Sequence, residues 1–203
     1  MRHVLTTVLA LAMVAGLGRP ALAADPTDPD WPCIQRKVDH LSIGVLWPHP
    51  LPAEETALPS GLDDVADQLA LRRVTEEDAA RLLAEVGAQN PGLNLDGYGR
   101  LFQATFDHID RQRAEIIEGI SRYARNQAGL AREIEEMQSE MTRLKAAEPP
   151  DFDRIDALEA ELDWRIRVFR DRDRALTYVC ESPVLLEQRA YRLAQMMLAA
   201  ADG

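Results

Sequence analysis

The sequence lacks every short motif that would indicate a specific reaction. It contains no H-E-x-x-H or C-x-x-C spacing for a metal, no G-x-S-x-G turn, no P-loop and no dinucleotide-binding fingerprint. We therefore predict a protein that is not an enzyme and that uses no cofactor and no metal.

Long apolar runs are missing after the first seventeen residues, whereas a helix that spans a bilayer needs about 20 apolar residues. The start of the chain, in contrast, does contain an apolar run. Arg2 precedes the apolar run Val4–Leu17, and Ala21 and Ala23 offer small side chains before a cleavage point. This pattern predicts a cleaved signal peptide over residues 1–23 and a mature chain in the bacterial periplasm, without a membrane span. An uncleaved anchor is the alternative.

Basic residues are also scarce. The chain has 23 Lys+Arg against 34 Asp+Glu, a net charge of −11, and its only lysines are Lys37 and Lys145. Loss of residues 1–23 removes two arginines and no acid, which leaves 21 basic and 34 acidic residues and a net charge of −13. Because nucleic-acid phosphates need a basic surface, we predict no nucleic-acid partner.

The chain has two cysteines, Cys33 and Cys180. An even pair in an exported protein predicts a disulfide, which would join the N-terminal segment to the end of the second long helix. Two buried thiols, or a bridge between two chains, are the alternatives.

The segment 24–60 carries seven prolines, too many for a helix or an inner strand. We predict an irregular Pro-rich strap that lies along the helices, because Trp31 and Trp47 are unusual in disordered chains. A flexible acidic leader is the alternative.

Residues 61–97 predict two short helices and a loop. Ser60 can cap the first helix, Thr75 can cap the second with Asp78 three residues later, and Gly87 would end it. Prolines and glycines between residues 89 and 99 indicate the loop.

A spacing of four and three positions repeats from Phe102 to Leu144, and all but two of its positions are apolar. It predicts the seam of a coiled coil. Polar residues at seam positions would fix the register, or mark contact with a second copy or a partner. The seam positions are Phe102, Phe106, Ile109, Arg113, Ile116, Ile120, Tyr123, Gln127, Leu130, Ile134, Met137, Met141 and Leu144.

Pro149 and Pro150 must end this helix, and the next begins almost at once. The predicted fold is therefore all-α: a long antiparallel coiled-coil hairpin over residues 98–203, with its turn near 148–152 and a small helical base. Folding the chain between the prolines places Gln127 opposite Arg172. Pro183 is predicted to interrupt the second helix and restart it.

One side-chain cluster is a candidate interaction or anion-binding patch. Its arginines fall at similar heights on the two arms, and acidic residues alternate with them. A solvated, ion-paired surface is the interpretation that we prefer. The cluster contains Arg122, Arg125, Arg165, Arg167, Arg170, Arg172 and Arg174.

The most consistent function is a non-catalytic interaction or scaffolding protein of the periplasm, which contacts a protein partner or itself through the flanks of the hairpin. A holdase-type chaperone is the first alternative, since methionines near the tip suit adaptable apolar contacts. The second alternative is an enzyme with a site at the helical base. The tip residues are Met137, Met141 and Leu144, and the base histidines are His40, His49 and His108. Asp25, Asp28 and Asp30 could bind calcium only weakly, since their alternation with prolines does not fit an EF-hand loop, so no metal site is predicted there.

Overall fold

A computed structural model describes residues 30–53 and 58–202 of the chain. The predicted signal peptide 1–23, Asp25 and Asp28 lie outside the described residues. Within these ranges the chain forms helices and no strands, so the all-α prediction is confirmed. The helices are α1 (Ile43–Leu46), α2 (Leu62–Ala70), α3 (Glu76–Gln89), α4 (Leu95–Lys145) and α5 (Phe152–Ala201).

Helices α4 and α5 form the predicted antiparallel hairpin. They contain 51 and 50 residues, which corresponds to about 75 Å each. Every predicted seam position of α4 is buried or half-buried, which confirms the seam. The Asp151 side chain caps α5 by accepting a hydrogen bond from the backbone N–H of Arg154 at 3.1 Å.

The predicted layer of Gln127 with the Arg172 side chain does not form. Gln127 donates to the carbonyl of Phe169 at 3.2 Å, and the Tyr123 hydroxyl donates to the carbonyl of Arg172 at 2.6 Å. The turn is centred near Glu148 rather than between the two prolines, because α4 ends three residues before Glu148 and α5 begins four residues after it. Gln127 therefore bonds to the backbone of α5 instead of forming a layer with the Arg172 side chain.

Helix α5 runs through Pro183 without the predicted interruption. Proline lacks a backbone donor and normally breaks a helix. Here Pro183 is buried, and it shares a small cavity lining with Trp31 and Val38 of the N-terminal segment. This packing stabilises the helical path at a position where the sequence alone favours a break.

Three other helix ends differ from prediction. Helix α2 is preceded by Gly61, whose φ of 87° is left-handed and suits glycine, and not by Ser60. Helix α3 passes Gly87 and ends at Gln89. Helix α4 begins at Leu95 inside the predicted loop, because Asn94 accepts a hydrogen bond from its first turn.

The capping prediction for α3 is confirmed. The Thr75 hydroxyl accepts from the backbone N–H of Asp78 at 3.1 Å, and the Asp78 carboxylate accepts from the Thr75 backbone. The side-chain hydrogen bond from Thr75 is the main reason that the pKa of Asp78 lies below its usual value.

The hydrophobic core lies at the base, where α2 and α3 pack against the open ends of the hairpin. Trp47 is 1% exposed and stacks on Phe102, with the ring centroids 5.3 Å apart. Gly99 lies next to this indole, and a Cβ atom there would be in ordinary van der Waals contact with it at 3.4 Å. The tryptophan therefore ties the N-terminal segment into the core.

The polar seam position Arg113 also has an internal partner. Its side chain is 5% exposed, and its Nη1 donates to the carbonyl of Val38 at 2.5 Å. One turn earlier, Asp110 accepts from the backbone of Leu41 and contacts His40, both at 2.7 Å. Helix α4 thus holds residues 38–41 through two polar side chains, which explains why arginine is tolerated in an apolar seam.

The side chain of Arg189, on α5, caps the C-terminal end of α2. Its Nε and Nη2 donate to the carbonyl of Leu69 at 2.9 and 2.6 Å, and Nη1 donates to the carbonyl of Val74 at 2.8 Å. Burial, which disfavours the charged form, lowers the pKa of Arg189 from its usual value. This side chain supplies donors to the Leu69 carbonyl, which the end of α2 leaves without a helical partner, and to the Val74 carbonyl in the connection to α3.

We expect Arg189→Met to lower the free energy of unfolding by about 2–4 kcal/mol, because it leaves buried carbonyls without donors. Urea denaturation followed by circular dichroism measures the change. Arg192→Met is the matched control on the same helix. Arg192 forms a partly exposed ion pair with Glu76, and its loss should cost about 1 kcal/mol or less. Equal losses in the two variants would contradict this role of Arg189.

Candidate functional site

The predicted disulfide is confirmed. Cys33 and Cys180 are joined across 147 positions of sequence, with their Cα atoms 5.6 Å apart. Cys33 and its neighbour Trp31 are buried against Ile117 and Ile120 of α4. The crosslink therefore fixes the N-terminal segment to α5, while its tryptophan packs on α4.

Hydrogen bonds hold the turn around the disulfide. The Trp31 indole N–H donates to the carbonyl of Gln35 at 2.5 Å, and the Gln35 amide donates to the carbonyl of Cys180. Between these anchors lies Ile34, whose side chain is 93% exposed. A large apolar side chain is therefore presented to solvent from a backbone that is fixed on both sides.

This turn forms one wall of a cavity of about 700 Å³. The other wall is one face of α5 from Asp173 to Gln188. We call this cavity the disulfide groove. Its lining residues are Pro32, Cys33, Ile34, Gln35, Asp173, Leu176, Thr177, Cys180, Glu181, Val184, Leu185 and Gln188.

Exposed large hydrophobic residues are distributed unevenly over the described surface. Five lie on α5, three lie in the N-terminal segment, and α4 carries none. The two arms of the hairpin therefore differ: large apolar side chains are exposed among the charged residues of α5 but not on α4. The eight residues are Ile34, Val38, Val45, Phe152, Trp164, Tyr178, Leu185 and Tyr191.

Four of the seven predicted arginines form ion pairs. Arg122 pairs with Glu118, Arg125 with Asp30, Arg165 with Glu133 and Glu161, and Arg174 with Asp171.

Three of the seven line one cleft of about 670 Å³ between the arms, together with Trp164; these three are Arg125, Arg165 and Arg172. Arg167 and Arg170 are exposed on α5. The ion pairs favour the solvated-surface interpretation, and anion binding stays a prediction.

The three histidines do not converge on one site. His40 contacts Asp110 at 2.7 Å, and His108 contacts Asp67 at 2.8 Å. The ring of His49 lies 6.3 Å from a tryptophan ring. In the described ranges, no three carboxylate, imidazole or thiol groups are close enough together to bind a metal ion.

The tip offers little of the apolar surface that a holdase would use. Met141 is buried in the seam, and Met137 and Leu144 are half-buried. Phe152, at the start of α5, is the exposed apolar residue at this end.

The chain matches no family model, no curated protein and no solved structure. Among the helices in the described ranges, none carries an apolar stretch of membrane-spanning length. Sequence reasoning missed Ile34 and Leu185, and the one signal available was that Ile34 directly follows a cysteine.

Replacing both cysteines, Cys33→Ser with Cys180→Ser, should lower the free energy of unfolding by up to about 5 kcal/mol, since the crosslink closes a loop of almost 150 residues. Urea denaturation measures this loss. The turn at residues 31–35 should also become accessible to proteases, which limited proteolysis with mass spectrometry detects.

Chemically reduced wild-type protein is the control and should behave like the double variant. Unchanged stability and unchanged cleavage would show that the turn is held without the disulfide.

Proposed function

We propose that this chain is an exported, non-catalytic interaction or scaffolding protein of the bacterial periplasm, which binds a partner protein through the α5 flank of its hairpin. The uneven distribution of exposed apolar residues, five on α5 and none on α4, is the observation that carries the proposal. Scattered exposed apolar residues are ordinary, but Trp164, Tyr178 and Leu185 are separated by multiples of seven positions and so lie along one side of α5. The disulfide supports an oxidising compartment.

The hairpin suits this role because the seam fixes the direction of the α5 flank. Trp164 lies on the projecting part of the arm, whereas Tyr178 and Leu185 lie beside the disulfide. Tyrosine and tryptophan are enriched at the centres of protein interfaces, since each offers a large, rigid contact surface. A partner that follows α5 can contact all three residues along one side of the rod.

The two alternatives receive less support from the geometry. A holdase needs adaptable apolar surface, yet the methionines Met137 and Met141 are half-buried or buried in the seam. An enzyme at the base needs an enclosed site, yet His40 and His108 form separate pairs with carboxylates near the surface. Within the described residues, the side-chain contacts of His40 and His108 include no hydroxyl or thiol group that could act as a nucleophile.

A photo-crosslinking amino acid at position 178 should capture a defined partner protein in the native cell envelope. The same amino acid at position 132, an exposed site on α4, is the matched control and should capture far less. Mass spectrometry of the crosslinked bands measures both. Equal capture from the two positions would contradict the α5 flank as the contact surface.

A second measurement separates scaffolding from chaperoning. The purified chain should not suppress aggregation of a chemically denatured test protein, as followed by light scattering. Suppression at near-stoichiometric amounts would favour the holdase alternative instead.

A further inference from the structure

We propose that the disulfide groove binds a short amphipathic helix of the partner, one that carries lysine or arginine beside its apolar face. This inference rests on the proposed function, because it assigns the surface and the partner chemistry of an interaction protein. Its support is the length of the groove, its apolar lining and the sign of its charges.

The groove has the dimensions of a helix-binding site. Its α5 wall runs from Asp173 to Gln188, which is about 22 Å at 1.5 Å per residue. A partner helix of about four turns matches this length. The α5 lining residues recur every three or four positions, so they present one continuous face, as in other helix-in-groove contacts.

The lining offers apolar contacts on both walls. Leu176, Val184 and Leu185 come from α5, and Ile34 comes from the facing turn. Ile34 is almost fully exposed, so a helix in the groove would remove its side chain from water. Because the disulfide and the Gln35 hydrogen bond already fix this turn, binding would order few additional groups.

The charges of the lining have one sign. Asp173 and Glu181 are its only charged residues, and both are acidic. They are eight positions apart on one helix, or about 12 Å. Arg172 and Arg174 flank Asp173 in sequence but do not line the groove, and Arg174 pairs with Asp171. A partner helix with basic residues seven or eight positions apart would place one beside each carboxylate.

A second copy of this chain is a poorer occupant. In a symmetric contact the same surface faces itself, so Asp173 and Glu181 would meet equivalent carboxylates. Like charges at an interface oppose association. The net charge of the whole chain, −11, adds to this repulsion.

The test uses the chain from residue 24 to 203 with its disulfide intact. The probe is a fluorescent synthetic helix of sixteen residues, with leucines on one face and arginines seven positions apart, and fluorescence anisotropy measures its Kd. The double variant Asp173→Lys with Glu181→Lys should weaken binding about tenfold or more. It should also bind a probe that has glutamate in place of arginine better than the wild type does.

The matched control is Glu135→Lys with Glu136→Lys, which makes the same charge change at exposed sites on α4. This control should retain wild-type binding. Equal weakening in the two double variants would overturn the proposal, because it would show unspecific attraction. Leu185→Glu should abolish binding while leaving helicity unchanged by circular dichroism, and retained binding would also overturn the proposal.

Two further outcomes distinguish this inference from the proposed function. If crosslinking from position 178 captures the same partner in the Leu185→Glu chain, the α5 flank is the contact surface but the groove is not. If the wild type sediments as a dimer that Leu185→Glu separates, a second copy occupies the groove and the proposal is overturned. Absence of any partner crosslinked from position 178 in the wild type would contradict the proposed function itself.

Discussion

The apolar seam between α4 and α5 is the contact on which the rest of the structure depends. Over the outer half of the hairpin the seam buries few side chains completely, and α5 has no buried residue between Ile155 and Pro183. A two-helix contact of this kind buries little area per residue, so its regular spacing has to fix both the length and the direction of the arm. Every candidate contact residue on α5 takes its position from this pairing.

At the base of the hairpin, other segments of the chain pack onto α4 and α5. Trp47 and the short helices α2 and α3 cover the seam where Phe102 lies, and buried arginines satisfy backbone carbonyls that the short segments leave open. Arg113 and Arg189 act from opposite arms, yet each donates to a segment outside the hairpin. Polar residues in the apolar faces thus join the irregular parts of the chain to the long helices.

The features that depend on local or repeated patterns were predictable. The seam follows from its four-three spacing, the Thr75 cap from its neighbouring acid, and the disulfide from an even pair of cysteines in a chain with an export signal pattern. The register between α4 and α5 was not predictable, because a shift in the centre of the turn changes every residue pair along both arms.

Two further features depend on contacts between distant segments. Pro183 remains helical through packing that involves residues 31–38. The disulfide groove could not be predicted for the same reason: the exposure of Ile34 depends on how its turn lies against α5. The position of the groove follows only from the path of the N-terminal segment across α5.

The location of the disulfide has a mechanical consequence for the rod. Opening of the arms from the tip breaks the seam and the ion pairs that Glu140 and Glu133 form with α5, until it reaches the level of Arg125, where Asp30 forms an ion pair. There the N-terminal segment is covalently attached to α5 and inserts Trp31 against α4. Further separation would have to withdraw that indole from its apolar contacts. The crosslinked turn therefore opposes separation of the two arms beyond this level, because the covalent bond to α5 and the apolar contacts with α4 would have to be broken together.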